Sequence, residues 1–362
     1  MGSLRPIRFR VARTIGAFPG ELGIGGASVY GLAMDLRLPP ALRAALDAAR
    51  ALTPSRAIAE RSAAMSDLYR RNEPSSRAIR SAEDAVAYAI TRMPATYAAA
   101  MDVLGRLAQA HPDFAPTSAL DLGAGPGAGA WAASETWPAL ASATLLDHNE
   151  AFLALAKSLA QRADAPAIRT ARIEREDLAK PLLAKPLAAQ RHDLVVASYA
   201  LTEIADVEAA AVRWLALASH ALVIIEPGRP RDYGRLMKAR RALIAAGGRI
   251  LAPCPHANAC PLTPEDWCHF SARLPRLREH MRAKGASLPF EDEKFSYLVV
   301  APPGSALAPI GASRVLAPPH VGKPGAVLKL CTTVGVELRN VPSRDKAAFK
   351  RAKKAEWGDV VY

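Results

Sequence analysis

The chain has 362 residues, enough for one large hydrophobic core or for one core with a smaller domain beside it. Half of the residues are hydrophobic and 22% are charged, as in an ordinary folded protein, and the longest apolar runs, such as residues 214–225, are too short to span a bilayer. The formal net charge of +13 predicts a polyanionic partner, most often nucleic acid, with a basic proteome or solubility as the alternative explanation.

Residues 1–117 are predicted to form a helical N-terminal domain that serves as a scaffold, a docking element or a lid. Apolar residues recur at helical spacing over residues 41–52, 76–92 and 95–110. Prolines soon after residue 110 end the region. The first twenty residues contain four arginines and no acid, which an organellar transit peptide would also show. We expect a bacterial cytoplasmic protein, with the mitochondrial matrix as the alternative.

From residue 119 onward, short apolar strands alternate with helices, which predicts an α/β fold with a doubly wound parallel sheet. This Rossmann-like core is expected to cover residues 118–338, followed by a basic C-terminal tail at residues 339–362. The predicted strands are 119–122, 143–146, 168–173, 192–198, 221–225, 295–300 and 327–331, with helices at 150–162 and 232–246. A loop rich in proline and glycine separates the last two of these strands, which can form a hairpin.

The first predicted strand runs into a glycine-rich turn that opens a helix. Glycines let the backbone approach a ligand closely, and the start of a helix offers free N–H groups, so we expect a nucleotide-like ligand here. The candidate residues for binding it are Asp121, Gly123, Gly125, Gly127, Asp147, Asp177 and Ser198.

The acids in this set favour S-adenosylmethionine over a dinucleotide. Asp121 stands two residues before the first glycine, Asp147 ends the second strand and Asp177 follows the third. S-adenosylmethionine has no pyrophosphate, and its ribose, ammonium and adenine amino groups need hydrogen-bond acceptors, so carboxylates suit its pocket. The glycine spacing also satisfies the relaxed dinucleotide fingerprint. A nicotinamide cofactor and a purely structural turn therefore stay open as alternatives.

The sequence assigns no catalytic residue. The fourth strand ends in residues 197–203 without the Asn/Asp-Pro-Pro-aromatic tetrapeptide of enzymes that methylate the adenine amino group. No cysteine stands near this strand end, which argues against thiolate attack on a pyrimidine. Tyr199 and Glu203 can line a substrate cleft, and they can equally pack against or cap the next helix.

The four cysteines are the candidate metal ligands. Cys254, Cys260 and Cys268 are six and eight positions apart in a segment, residues 250–285, that we expect to be an insertion held by a metal, and Cys331 lies on a distant strand. Paired Cys-x-x-Cys knuckles are absent. The spacing alone leaves tetrahedral zinc, an iron–sulfur cluster and free thiols open.

Four runs have an unusual residue pattern. They are Ala252-Pro-Cys-Pro-His256, Cys260-Pro-Leu262, Asp266-Trp-Cys-His-Phe270 and Pro289-Phe-Glu-Asp-Glu-Lys-Phe-Ser-Tyr297. They resemble the ribosomal small-subunit Rsm-twenty-two family, whose mitochondrial members are methyltransferase-like proteins of mitoribosome assembly. The resemblance covers about residues 85–362, and it includes the glycine turn and the terminal Trp357-Gly-Asp359.

The resemblance implies a class I S-adenosylmethionine-dependent methyltransferase core with a helical N-terminal part. It also implies that Cys254, Cys260, Cys268 and Cys331 hold a 4Fe-4S cluster rather than zinc. The implied partner is small-subunit ribosomal RNA in an assembling ribosome. Separately, we expect the protein to be a monomer. The resemblance leaves open whether the protein transfers methyl groups or is an inactive assembly factor.

Two basic stretches are expected to contact RNA phosphates, the run at residues 229–241 and the tail at residues 339–354. Phosphate contacts give salt-dependent affinity without reading the sequence. A solvated helix face is the alternative for each stretch.

Overall fold

The computed structural model describes residues 35–70, 75–180, 190–262, 266–276, 281 and 287–361. The helices are α1 Pro40–Ala51, α2 Ser55–Arg70, α3 Ser75–Ala78, α4 Ala82–Thr91, α5 Met93–Ala110, α6 Ala128–Thr136, α7 Glu150–Ala160, α8 Pro166–Arg169, α9 Val207–Ala216, α10 Pro230–Ala245 and α11 Lys346–Ala352. The strands are β1 Ser118–Leu122, β2 Ser142–Asp147, β3 Arg172–Arg175, β4 His192–Ser198, β5 Ala218–Pro227, β6 Arg249–Ala252, β7 Phe270–Pro275, β8 Phe290–Ala301, β9 Ser313–Val315, β10 His320–Val321, β11 Gly325–Thr332, β12 Gly335–Pro342 and β13 Val360–Val361.

The larger sheet has the order β3-β2-β1-β4-β5-β8-β6, and β7 pairs with β8. Strands β1 to β5 pair in parallel, whereas β8 runs antiparallel to both β5 and β6. Leu122 at the end of β1 is level with Leu146 of β2 and Ala197 of β4, so three carboxyl ends meet at one edge. This sheet confirms the predicted α/β Rossmann-like fold, although β6, β7 and β8 depart from the wholly parallel pairing that was expected.

Both faces of the sheet are covered, as the near-continuous apolar strands require. Leu120 and Val195 belong to a core that includes α9 and α10. Their neighbours Ala119 and Leu194 face the opposite layer, which includes α4, α5, α6 and α7. Helices α4 and α5 therefore share a core with the sheet. The division of the chain at residue 117 stays a prediction.

A smaller sheet near the end of the chain has the order β10-β11-β9-β13, with β12 paired to β11. Its own core contains Leu328, Leu330 and Val341 together with Ala348 and Ala352 of α11. The hairpin predicted from strands 295–300 and 327–331 is wrong, because β8 belongs to the larger sheet and β11 to the smaller one. Residues 339–361, expected as a basic tail, form the end of β12, α11 and β13.

Two further element predictions are wrong in detail. The strand predicted at residues 168–173 is the short helix α8 followed by β3, because Pro166 presets a helical φ at the first turn of α8. The helix predicted at residues 76–92 is divided into α3 and α4. Helix α4 begins after Ser81, which forms a capping box in which its side chain accepts from the backbone N–H of Asp84.

The segment predicted as an insertion, residues 250–285, contains regular structure in its described part. Residues 250–252 belong to β6, and β7 pairs with β8, so the cysteine-containing coil between them is anchored at both ends. Among the helices in the described part of the chain, none has the length and apolar character needed to cross a membrane.

Candidate functional site

A cavity of about 1140 Å³ opens at the edge where β1, β2 and β4 end. Six of the seven residues predicted to bind a nucleotide-like ligand line it: Asp121, Gly123, Gly125, Asp147, Asp177 and Ser198. Gly127 does not line the cavity. It precedes α6 with φ +100°, and a Cβ at this position would come 3.0 Å from the side chain of Leu145.

The glycine loop is built from left-handed residues. Gly123 has φ +65° and Gly125 has φ +52°, conformations that residues with a side chain rarely adopt. A Cβ on Gly123 would lie 2.9 Å from the Cβ of Ala200. The loop therefore folds tightly against the end of β4 and leaves its backbone exposed to the cavity.

Asp121 carries a buried carboxylate with one unsatisfied oxygen. Its side chain is 2% exposed, Oδ2 accepts from the N–H of Ala130 at 2.8 Å, and Oδ1 has no hydrogen-bond partner. Burial raises its pKa to about 7, and the nearby charge of Asp147 acts in the same direction. A ligand with a positive charge or a hydrogen-bond donor would satisfy this oxygen.

Asp147 ties the second strand to the glycine loop. Its Oδ2 accepts from the N–H of Gly125 and its Oδ1 from the N–H of Asn149, both at 2.8 Å. Burial raises its pKa, although both hydrogen bonds favour the charged form. Each carboxylate oxygen has a further lone pair, so this side chain is fixed in place and can still accept ligand hydroxyl groups.

The remaining two candidates differ in their surroundings. Asp177 lies at the rim, where it pairs with Lys180 at 3.1 Å, and the hydrogen bond to Lys180 lowers its pKa. Ser198 ends β4 with 9% exposure, and its Oγ has no hydrogen-bond partner. Asp121 and Ser198 both line the cavity, and each has one buried polar atom without a hydrogen-bond partner.

Gly129→Ala is expected to disturb the loop, because the added methyl group would lie 2.7 Å from Oδ1 of Asp121. We expect a loss of about 1–3 kcal/mol in the free energy of unfolding, as for other overpacked interiors. Binding of any ligand that uses Asp121 should weaken as well. Denaturant unfolding and a ligand titration measure the two effects.

The matched control for this substitution is Gly234→Ala. Gly234 also lies within a helix, α10, but a Cβ there would meet nothing within 4 Å. Alanine should stabilise this helix by up to about 1 kcal/mol relative to glycine. Equal effects of the two substitutions on stability would contradict the argument.

Three polar side chains meet where α4, α5 and β8 line the same cavity. The Tyr199 hydroxyl donates to Oε1 of Glu293 at 2.7 Å, and a guanidinium nitrogen of Arg92 is 3.6 Å from the same oxygen. Tyr199 and Glu203, predicted as possible cleft residues, both line the cavity. The sequence did not single out Arg92, although it stands beside a helix-interrupting Pro94, and Glu293 was noted only within a longer run.

The structure brings all four cysteines around one small cavity, which they line together with Tyr233 and Arg314. Burial raises the pKa of Cys254, the pKa of Cys268, and that of Cys331 to about 12, and the neighbouring cysteines add to the shift. Within the residues that the structure describes, no three His, Cys, Asp or Glu side chains are arranged as a metal site. The predicted metal-binding character of the insertion is therefore not shown.

Two buried arginines face the cysteines. Arg240 is 2% exposed and donates to the carbonyl oxygens of His256 and Asn258, at 2.7 and 2.9 Å. Arg314 is 4% exposed and donates to the carbonyl oxygens of Pro253 and Gly358, at 3.3 and 2.9 Å. Neither guanidinium forms an ion pair with a carboxylate of the described ranges.

The prediction that the basic run at residues 229–241 contacts phosphates is therefore wrong in part. Arg240 is turned inward to the cysteine coil, and Arg235 donates to the carbonyl oxygens of Leu201 and Ile204. Helical periodicity did not reveal that these two arginines are turned inward, because the apolar stem of an arginine side chain allows it to lie on a buried or on an exposed face of a helix. The half-exposed Arg229 and Arg231 both pair with the buried Asp232, at 2.7 Å each.

Comparison with known proteins gives one family and one curated relative. The family model "Mitochondrial small ribosomal subunit Rsm22" matches residues 82–362. Human mitochondrial ribosome assembly protein METTL17 is 26% identical over an alignment of 231 positions, and the match covers 59% of this chain and 48% of that protein. The chain thus spans about half the length of this curated relative.

Solved structures give only weak likenesses. Magnesium protoporphyrin IX methyltransferase from Synechocystis, with bound S-adenosylhomocysteine, is 13% identical over 58% of this chain and 84% of its own, with a TM-score of 0.38. The YcgJ protein from Bacillus subtilis is 12% identical over 56% and 97%, with a TM-score of 0.36. These TM-scores are low, so the fold assignment rests on the strand order of the larger sheet.

Proposed function

The chain belongs to the Rsm22 family, and we propose that it binds S-adenosylmethionine and acts on small-subunit ribosomal RNA as a methyltransferase in ribosome assembly. The observation that carries the first half is the pair of buried carboxylates, Asp121 and Asp147, in the lining of the glycine-loop cavity. A cationic ligand with hydroxyl groups suits this pair. The pyrophosphate of a dinucleotide would instead bring further negative charge beside Asp121 and Asp147, which disfavours the nicotinamide alternative.

The proposed ligand contacts follow from what each group offers. Asp121 would meet the cationic amino-acid end of the ligand, and Asp147 would accept the ribose hydroxyls. Asp177 and Ser198 would complete the pocket, and the glycines would allow close approach of the backbone. Methyl transfer breaks the methyl–sulfur bond, leaves its electron pair on sulfur and joins the methyl group to an RNA atom, while the displaced proton passes to solvent.

We also propose that the four cysteines hold a 4Fe-4S cluster, with zinc as the alternative. The two buried guanidinium groups support a metal of this kind. Four thiolates with either metal centre carry roughly two net negative charges, which would balance the charges of Arg240 and Arg314. Neutral thiols would leave those two buried charges without a counter-charge. A bound cluster would join the coil before β7 to β11 of the smaller sheet through Cys331.

The RNA-binding part of the proposal rests on charge and on the names of the relatives. The chain carries a net charge of +13, and α11 with its flanking residues exposes Arg344, Lys346, Lys350, Lys353 and Lys354. Both the family model and the curated relative are described as mitochondrial and ribosomal. This favours the mitochondrial matrix over the cytoplasm as the compartment. A monomeric state stays a prediction.

The second candidate function is an assembly factor that binds the ligand and the RNA without transferring a methyl group. The name of the curated relative, a ribosome assembly protein, favours it. The two candidates share the fold, the pocket and the partner. They differ only in whether RNA becomes methylated.

Labelled S-adenosylmethionine and immature small subunits test the proposal on the full chain. We expect label in the RNA with the wild-type protein and none with Gly125→Arg, because that side chain would fill the ligand cavity. Gly304→Arg is the control, since Gly304 is also left-handed and has nothing within 4 Å of an added Cβ. Ribosome binding without any transfer of label would contradict the methyltransferase and leave the assembly factor.

A further inference from the structure

The glycine-loop cavity is larger than one ligand requires. Its volume of about 1140 Å³ exceeds the range of roughly 300–1,000 Å³ that is usual for the site of one small molecule. The proposed S-adenosylmethionine residues come mainly from the ends of β1 and β2. Arg92, Tyr199 and Glu293 line a further part of the cavity, and the proposed ligand gives them no role.

These three side chains form a connected hydrogen-bonding group. Oε1 of Glu293 accepts the Tyr199 hydroxyl at 2.7 Å and lies 3.6 Å from the Arg92 guanidinium. The Glu293 side chain is 10% exposed and that of Arg92 is 31% exposed. The group therefore presents an acceptor and a donor side by side in a largely desolvated place, where hydrogen bonds are strong.

The backbone after β4 is strained at Tyr199, whose side chain lies beside Glu293. Tyr199 has φ +59°, and among the described residues it is the one non-glycine residue with a positive φ. Its N–H donates to the carbonyl oxygen of Ile225 at 2.7 Å, and its own carbonyl accepts from the Thr202 hydroxyl at 2.9 Å. Strain of this kind persists where surrounding contacts fix it, most often at ligand sites. The unsatisfied Oγ of Ser198 is adjacent.

Three cationic side chains lie at the rim beside this group, among acids such as Glu203 and Asp292 that line the same cavity. Lys294 is exposed, and the side chains of Arg229 and Arg231 are 48% and 43% exposed and share the buried carboxylate of Asp232. The charge of the three cations exceeds that of this one carboxylate, so they can meet phosphates, while the Arg92–Glu293 pair inside is neutral overall. A nucleotide within an RNA chain has the complementary arrangement, with phosphates outside a hydrogen-bonding base edge.

We infer that Arg92, Tyr199 and Glu293 form the acceptor-base site, which takes a single nucleobase turned out of its stack in the RNA. Glu293 accepts an N–H of the base edge, and Arg92 donates to a ring nitrogen or carbonyl oxygen beside it. Tyr199 is a positioning residue that fixes the Glu293 carboxylate. The phosphates lie along the rim of Lys294, Arg229 and Arg231. This inference rests on the proposed function, of which it names the substrate subsite.

The test measures binding rather than turnover, so it does not depend on methyl transfer. The full chain is titrated with the four nucleoside 5′-monophosphates, with and without saturating S-adenosylhomocysteine, and the affinity for S-adenosylhomocysteine is measured separately. We expect saturable binding of at least one nucleotide. In Glu293→Gln this binding should weaken about tenfold or more, as loss of one charge-assisted hydrogen bond predicts. Tyr199→Phe should weaken it less.

The same variants should keep the wild-type affinity for S-adenosylhomocysteine while they lose affinity for the nucleotide. A merely structural role would lower both affinities together. Glu337→Gln is the matched control, because Glu337 lies in the smaller sheet and pairs with Arg339. Glu293→Gln is nearly isosteric, and Tyr199→Phe keeps the test usable if Glu293→Gln fails to fold.

Two outcomes separate the inference from the proposed function. Wild-type nucleotide affinity in Glu293→Gln, or no nucleotide binding by a wild-type protein that binds S-adenosylhomocysteine, would overturn the inference and leave the proposed function in place. Failure to bind S-adenosylhomocysteine would instead overturn the proposed function. Nucleotide binding that still depended on Glu293 would then support the site on its own.

Discussion

Cys331→Ser is expected to remove the metal from the protein and to lower its stability by about 3–5 kcal/mol. The size of this loss of stability follows from charge. Loss of the metal returns the thiolates to neutral thiols and leaves Arg240 and Arg314 buried without a counter-charge. Cys331 also gives the largest structural effect, since it alone of the four comes from β11. We expect the smaller sheet to lose one of its connections to the coil before β7, with the hydrogen bond from Arg314 to Pro253 remaining, and ribosome association to weaken.

The measurements are metal and sulfide analysis of anaerobically purified protein, followed by denaturant unfolding. The wild type should be brown and contain about four irons and four sulfides per chain. Thr332→Ser is the control, since it changes the next residue of β11 and keeps the hydroxyl that donates to Gly335. One zinc per chain without sulfide would refute the cluster. Equal metal content and stability in Cys331→Ser would refute ligation by this cysteine.

The parts of the fold that were predicted correctly are each determined by a short stretch of sequence. The β1 strand, its left-handed glycines and the following helix lie within one run of residues, and the apolar strand β4 is recognisable by itself. The helix predicted at residues 150–162 is α7, and Asn149, a residue type that favours this position, caps it by accepting from the N–H of Phe152. These features depend on local conformation, which residue type largely decides.

The parts that were missed depend on pairing between distant segments. Nothing in the residues of β8 says that it inserts antiparallel between β5 and β6, or that β11 joins a separate sheet. Glu293 meets Arg92 only because β8 takes that place beside α4 and α5. Arg240 was expected on an exposed face, and its burial follows from the path of the cysteine coil. Local periodicity carries no information about such contacts.

The affinity for S-adenosylmethionine is expected to fall about tenfold for each pH unit below about 7. Burial raises the pKa of Asp121 to about 7 in the unliganded protein, so below that pH the carboxyl holds a proton. A cationic ligand that needs the carboxylate must then displace one proton for each molecule bound, which gives a slope of one in log Kd against pH. The ligand ammonium, with an α-amino pKa near 8, stays protonated throughout this range.

The raised pKa of Asp121 also determines whether the stability of the unliganded protein rises or falls with pH. An acid whose pKa is higher in the folded than in the unfolded state favours folding at low pH, and this contribution is lost as the pH rises from about 4 to about 7. The unliganded protein should therefore lose stability over that interval from this one group. Ligand binding above pH 7 should return part of it, because the ligand charge stabilises the ionised carboxylate.

Titration calorimetry between pH 5.5 and 7.5, in two buffers of different ionisation enthalpy, counts the protons released on binding. Asp121→Asn should bind more weakly at pH 7.5 and show no slope, because the amide does not titrate. Asp177→Asn is the control: Asp177 is at the exposed rim with a lowered pKa, so its variant should keep the wild-type slope. Asp147 also lines the cavity and has a raised pKa, so a wild-type slope in Asp121→Asn would assign the proton to Asp147. A flat wild-type profile would show that the ligand does not depend on the Asp121 carboxylate.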